Sequence, residues 1–166
     1  MTHNPRCSLQ SNTMSETVKP IPDGYHAVTP YLIIRDAAAA IDVYKQAFGA
    51  IELGRFPMGD KIAHTEIQIS DSKIVLADEH PEMDFLAPDE TKGPPVSLHI
   101  YVEDVDQVVE IAVAAGAKIE RPVIDQPYGD QIGTVRDPFG HRWSIATRKE
   151  NVSMEEMQKR AAELFG

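Results

Sequence analysis

Cysteine is nearly absent: Cys7 stands alone among 166 residues. No internal disulfide can form, and no zinc-spaced cysteine set exists. Long apolar runs are also missing. No stretch approaches the roughly 18 residues that a membrane helix needs. Residues 1–20, MTHNPRCSLQSNTMSETVKP, contain no hydrophobic signal core, so the expected compartment is the cytoplasm and no membrane partner is expected. Positive charge is scarce, with 16 Lys and Arg against 26 Asp and Glu and a net charge of -10. A nucleic-acid backbone demands a basic surface, so no nucleic-acid partner is expected. The acidity permits a cationic ligand, although solubility explains it equally well. A phosphate-cradling glycine loop and a Gly-x-Ser-x-Gly elbow are lacking too.

What is present describes a folded chain. Hydrophobic residues make up 42% and charged residues 25%, the balance of a globular domain. Residues 1–22 are polar and pattern-free and read as a disordered extension, within which Met14 is a second candidate start. A domain over 23–150 follows, with modules at about 26–80 and 95–148, and a C-terminal helix over 151–166.

The domain reads as two copies of one unit. IIRDAAAAIDVYKQAFGA and YVEDVDQVVEIAVAAGA each run from a strand end through Asp and an amphipathic helix to Gly-Ala. Asp36 and Asp104 lie 68 positions apart, Gly49 and Gly116 lie 67 apart, and Gly59-Asp60 recurs as Gly129-Asp130. The aspartates suit N-caps and the glycines suit C-caps. Ile41, Tyr44 and Phe48 mark one helix face; Val105, Val108, Val109 and Ala112 mark the other. Strands are expected over 27–34, 51–57, 61–69, 73–78, 96–102, 118–124, 131–136 and 141–147. Each half is therefore βαβββ, and the fold class is α+β, with two such modules forming curved mixed sheets around a cleft.

Alternation assigns the faces. Leu98, Ile100 and Val102 oppose Ser97, His99 and Tyr101; Ile67 and Ile69 oppose His64, Glu66 and Gln68; Trp143 and Ile145 oppose Arg142, Ser144 and Ala146. Each apolar face is expected under its own helix, and the polar faces are expected to line a shared cleft. Asp137-Pro138-Phe139-Gly140 fits a type I turn. Ser153-x-x-Glu156 reads as a capping box opening a helix whose Met157, Ala161 and Leu164 could pack on the body or a partner.

Paired βαβββ units with DPFGHRW before the last strand resemble the vicinal oxygen chelate superfamily, which includes glyoxalase I, extradiol dioxygenases and bleomycin-resistance proteins. TPYLIIRD, AHTEIQI, VSLHIYVEDVD and DPFGHRWSIATRKENVSMEEMQKR resemble its PhnB-like branch over residues 28–160. Where that branch often has Arg after YGD, this chain has Gln131. The resemblance implies a homodimer, with modules pairing within a chain or exchanging between chains. It also implies four metal-ligand positions, which fall on Thr29, Val75, Ser97 and Ser144. Hydroxyls and a valine are poor partners for zinc, nickel, iron or manganese, so no cofactor is expected.

The cleft-facing candidates are Tyr31, His64, Glu66, His99, Tyr101, Arg142 and Ser144. Together they suggest polar anchors on an aromatic floor. The leading expectation is a non-catalytic small-molecule binder that sequesters an amphipathic or cationic compound. The alternative is a lyase-, isomerase- or oxygenase-type enzyme using His64, Glu66 and His99, either as a displaced divalent-metal site or as a His–Glu acid/base pair. A vestigial cleft in an interaction protein is the third reading. His26 and His141 read as structural or exposed, Asp78, Glu79 and His80 as a solvated acidic loop, and Cys7 as a tail residue without a nucleophilic role.

Overall fold

The first helix shows how local chemistry sets the fold. Asp36 leaves the helical conformation and its carboxylate accepts from the Ala39 amide at 3.0 Å, which opens α1 (Ala37–Phe48). Gly49 closes it at φ 66°, a conformation cheap only for glycine. Asp104 repeats the N-cap on Gln107 at 3.1 Å and opens α2 (Val105–Ala114). Here the C-cap is Ala115, in right-handed geometry, and Gly116 follows at φ 109°. The expected glycine cap is thus displaced by one residue, with the left-handed step just outside the helix.

The computed structural model describes residues 17–166. Cys7, Met14 and most of the expected N-terminal extension lie outside the described residues; 17–22 are exposed and form neither helix nor strand. The strands are β1 (Tyr31–Ile34), β2 (Ile51–Met58), β3 (Lys61–Ile69), β4 (Ser72–Asp78), β5 (Ser97–Tyr101), β6 (Lys118–Asp125), β7 (Asp130–Arg136) and β8 (Arg142–Arg148). A 3-10 turn covers Pro81–Met83, and α3 covers Met154–Phe165. The first sheet has the order β1-β4-β3-β2 and the second β5-β8-β7-β6. In each, the first strand pairs parallel with the last and the other neighbours are antiparallel. The α+β class and the doubled βαβββ plan are therefore as expected, with two mixed sheets that do not close. β1 is shorter than expected. Pro30 has no amide hydrogen, so the ladder before Tyr31 keeps only the Pro30 carbonyl, which accepts from the Val75 amide at 2.9 Å.

The strand phases hold. Ile67, Trp143 and Ile145 are fully buried, whereas Ser97, His99 and Tyr101 are exposed. Each apolar face, however, does more than meet its own helix. One buried cluster joins both sheets and both helices. Phe48 and Tyr44 of α1 lie against Trp143 of the second sheet, with ring centroids 4.4 and 5.2 Å apart, and α1 and α2 are direct neighbours. The halves of one chain are thus fused through apolar surface, where truncating one large aromatic costs about 3–5 kcal/mol.

Asp137 secures that seam. One carboxylate oxygen accepts from the Tyr44 hydroxyl at 2.6 Å and from Trp143 Nε1 at 2.9 Å. The other accepts from the Phe139 and His141 amides at 2.9 and 3.0 Å, closing the turn on Gly140 at φ 93°. Burial, then the charge of Asp137, pushes the Tyr44 phenol well above its ordinary range, so it remains a donor. His141 Nε2 faces the Ile33 carbonyl at 3.3 Å. The DPFGHRW stretch is accordingly a joint between modules.

Two further expectations change. At α3, the Ser153 hydroxyl accepts from the Glu156 amide at 3.1 Å, but the Glu156 carboxylate pairs with Arg160 at 2.9 Å instead of returning to the cap. Only half of the capping box forms. Asp78 is buried rather than solvated, because its oxygens accept from the Ala37 amide at 2.8 Å and the Ile62 amide at 2.6 Å. It anchors α1 to β3. Glu79 accepts from the Ala87 amide, and His80 Nδ1 faces Glu82.

Candidate functional site

The sequence-derived candidates fall into three places. On the polar face of the first sheet, His64 and Glu66 project from β3 with Nε2 and Oε1 at 3.3 Å. Cross-strand pairing brings Phe56 beside His64, and Tyr31 of β1 approaches from the far side; ring centroids lie 6.1 and 6.2 Å from His64. Tyr25, which alternation could not flag because it precedes the first strand, donates its hydroxyl to the other oxygen of Glu66. That bond, with burial and the carboxylate charge, pushes the Tyr25 phenol up to about 12. Chiefly through the same bond, Glu66 is held below its ordinary range. It is therefore a charged acceptor between a phenol and an imidazole.

The second place is the seam. His99 and Tyr101 meet edge to face at 5.0 Å and line a cleft of about 590 Å³ along the free edge of β5. His26, Thr29 and Lys73 border the same space. Tyr101 donates to the buried Asp130 at 2.7 Å, and Arg148 pairs with Asp130 as well.

The third place is the polar face of the second sheet, around Arg142 and Ser144. Register alone builds it. One row across the strands runs Arg121, Thr134, Ser144, His99; the next runs Arg136, Arg142, Ser97. The concavity holds about 580 Å³ and is lined by Ser97, Glu120, Arg121, Thr134, Arg142 and Ser144. Glu120 and Arg121 are consecutive, yet both line it, because β6 breaks register between Ile119 and Arg121 and again before Ile124. Glu120 contacts Arg136 through one oxygen and Arg142 through the other. Hydrogen bonds from Arg142 first, then Arg136, hold its carboxyl below the ordinary range. Sequence reading named Arg142 but missed Glu120, Arg121 and Arg136. Arg136 shares the phase of Thr134 and was legible; the bulged positions were not. Gln131 borders a separate hollow with Asp106, Asp125 and Glu150.

Within one chain the two polar faces share only the cleft in which Thr29 and Lys73 border His99 and Tyr101. Among the described residues, no hydrogen bond, ion pair or ring contact links the His64–Glu66 group to Arg142, Ser144 or His99. Elsewhere the halves meet through a fused apolar seam, where the rings of Tyr44, Phe48 and Trp143 pack together.

Thr29, Val75, Ser97 and Ser144 offer hydroxyls and one hydrocarbon, which do not fit a zinc, nickel, iron or manganese ion. His99 stands with Tyr101 and Ser144 in the second sheet, away from the His64–Glu66 pair on the first. Among the described residues, no three His, Cys, Asp or Glu side chains are placed to hold an ion. No helix of the described residues is long and apolar enough to cross a membrane.

Comparison with known proteins agrees with this architecture. Residues 25–145 match the Glyoxalase/Bleomycin resistance protein/Dioxygenase superfamily. The uncharacterized protein Rv0887c of Mycobacterium tuberculosis is 40% identical over 153 residues, covering 90% of this chain and 86% of its own length. The solved structure of the Arabidopsis thaliana At5g48480 gene product superposes with a TM-score of 0.60 at 26% identity, over 74% of this chain and 98% of that one. The PhnB protein of Bacillus cereus shares the fold, with a TM-score of 0.59 at 17% identity over 74% and 99%.

Proposed function

The chain belongs to the glyoxalase/bleomycin resistance protein/dioxygenase superfamily, and on that premise we propose that it is a non-catalytic binder that sequesters a small molecule on the polar faces of its sheets. The observation that carries this reading is the donor set at the four ligand positions: Thr29, Val75, Ser97 and Ser144 leave no means of polarising a substrate through a cation. The faces themselves remain built for contact, with aromatic rings beside polar anchors at Tyr31, His64 and Glu66 and at His99 and Tyr101. Such pairings orient and hold a guest without requiring chemistry.

The binder acts as a cytoplasmic homodimer. The outer strands β2 and β6 leave Ile51, Phe56, Ile119 and Ile124 more than half exposed. Exposed apolar edge strands are an association surface unless covered. A second copy covers them and supplies a polar face opposite the His64–Glu66 group.

A metal-free enzyme is the second reading, favoured by one contact. His64 lies 3.3 Å from a carboxylate that Tyr25 also anchors, the arrangement of an oriented acid/base imidazole. A thermal-shift screen of aromatic, anionic and cationic metabolites separates the two. Binding to the folded state raises the midpoint. The stabilising compound is then incubated with protein and examined by mass spectrometry. Recovery of unchanged compound is expected. Conversion of more than one equivalent per chain refutes the binder, as does the absence of any stabilising compound.

A further inference from the structure

The concavity of the second sheet has a chemistry of its own, opposite in sign to the chain around it. The whole molecule carries -10, yet here Arg121, Arg136 and Arg142 stand against the single carboxylate of Glu120. That carboxylate is divided between Arg136 and Arg142, and among the described residues Arg121 enters no ion pair. A guanidinium lining a hollow without a protein counter-ion is available to an anion from outside.

The hydroxyls point the same way. Ser97, Thr134 and Ser144 line the hollow. None of the three makes a side-chain hydrogen bond to a described residue. For Thr134 this matters most, because the residue is only 7% exposed. Its hydroxyl oxygen is nonetheless not one of the fully buried unpaired atoms among the described residues, so the access it keeps is to the hollow it lines. Each hydroxyl can donate, and each guanidinium offers a planar fork matched to paired oxygens. The cross-strand row Arg121, Thr134, Ser144 holds these donors at fixed strand spacing on a paired sheet, so they are ordered before a ligand arrives.

Resting on the binder reading and sharpening it, we infer that this concavity binds the oxyanion group, carboxylate or phosphate, of a small molecule, with Arg121 and Arg142 as cationic partners and Ser97, Thr134 and Ser144 as hydroxyl donors. The ligand class is therefore anionic, in contrast to the cationic compound that the net charge suggested.

The test is an amide-resolved NMR titration of the full chain with inorganic phosphate and, separately, with benzoate, sodium chloride holding ionic strength constant. Saturable shifts at Thr134, Ser144 and Arg121 are expected with at least one of them, and whichever binds tighter identifies the oxyanion. Arg121→Gln should weaken that binding about tenfold, as loss of one charge-assisted pair implies. Arg121→Lys should retain most of it. Arg121 is exposed, so an unchanged melting midpoint checks that each variant folds. The inference is overturned if neither anion gives saturable shifts, or if Arg121→Gln binds as tightly as the parent. Should a neutral or cationic compound stabilise the protein in that case, the binder reading survives alone. Should no compound of any charge do so, both fall.

Discussion

Replacing Asp137 by alanine removes the acceptor for two buried donors, the Tyr44 hydroxyl and Trp143 Nε1, and for two turn amides. An unsatisfied buried donor costs about 1–3 kcal/mol. The amides of Phe139 and His141 are only partly buried and recover water, so the two side-chain donors dominate. The expected loss is about 4 kcal/mol, a large share of the 5–15 kcal/mol typical of a domain. In a chain of this size it lowers the melting midpoint by roughly 10 °C. The sole tryptophan is Trp143 itself, so its fluorescence in a urea titration reports directly on the seam. Asp137→Asn is the gentler variant and guards against outright misfolding. Its amide keeps one oxygen, so one pair of donors faces an NH2 group and the loss should be about 2 kcal/mol. Tyr44→Phe leaves Asp137 three donors and should cost about 1.5 kcal/mol. Combining it with Asp137→Asn should cost less than the two changes separately, because they share a bond. A loss below about 1 kcal/mol for Asp137→Ala would refute the claim that this carboxylate joins the modules.

Four other outcomes follow from the same geometry. Tyr25→Phe should lower stability by about 1 kcal/mol near neutrality, given the partial exposure of the pair. The Glu66 pKa is depressed, so its contribution is present above the ordinary carboxyl range and is lost as pH falls; the Tyr25 pKa is raised, so its contribution is present below the ordinary phenol value and fades as pH rises toward about 12. The difference between parent and variant in urea midpoint should therefore shrink on acidification, and a pH-independent difference would contradict the pairing. Gly129→Ala should cost about 3 kcal/mol or more, because φ is 95° and the new Cβ would meet the Glu150 carbonyl at 2.3 Å. Gly59→Ala, at φ 64° with open space around it, should cost only about 1 kcal/mol by thermal melts, and equal effects would refute the close approach. Calorimetric titration of chelator-treated protein with nickel or zinc should show no stoichiometric site, and one equivalent bound per chain would overturn the donor-set argument. Sedimentation equilibrium should give a dimer that weakens when Phe56 and Ile124 are both changed to Lys; a monomer in the parent would refute the covered edge strands.

Sequence by itself determined the repeat, the helix N-caps and the strand faces, since each is a local matter. Asp36 and Asp104 signal helix starts through one side chain's reach, and alternation in VSLHIYVED, KIAHTEIQIS and HRWSIATR follows from a backbone period of two. The residue types at the four positions that the family resemblance implies, Thr29, Val75, Ser97 and Ser144, are read directly from the sequence. Tertiary structure decided everything that depends on which faces meet. Alternation marks a face as polar without saying what lies opposite it, so the fused seam of Tyr44, Phe48 and Trp143 could not be read, nor could the separation of His64 and Glu66 from His99. The same limit hid the burial of Asp78, whose donors lie 41 and 16 positions away, and the bond from Tyr44 to Asp137 across 93 positions, although the turn role of Asp137 was legible. It also hid the pairing of Glu120 and Arg121 in one concavity, because a bulge breaks the period on which the reading of a strand rests.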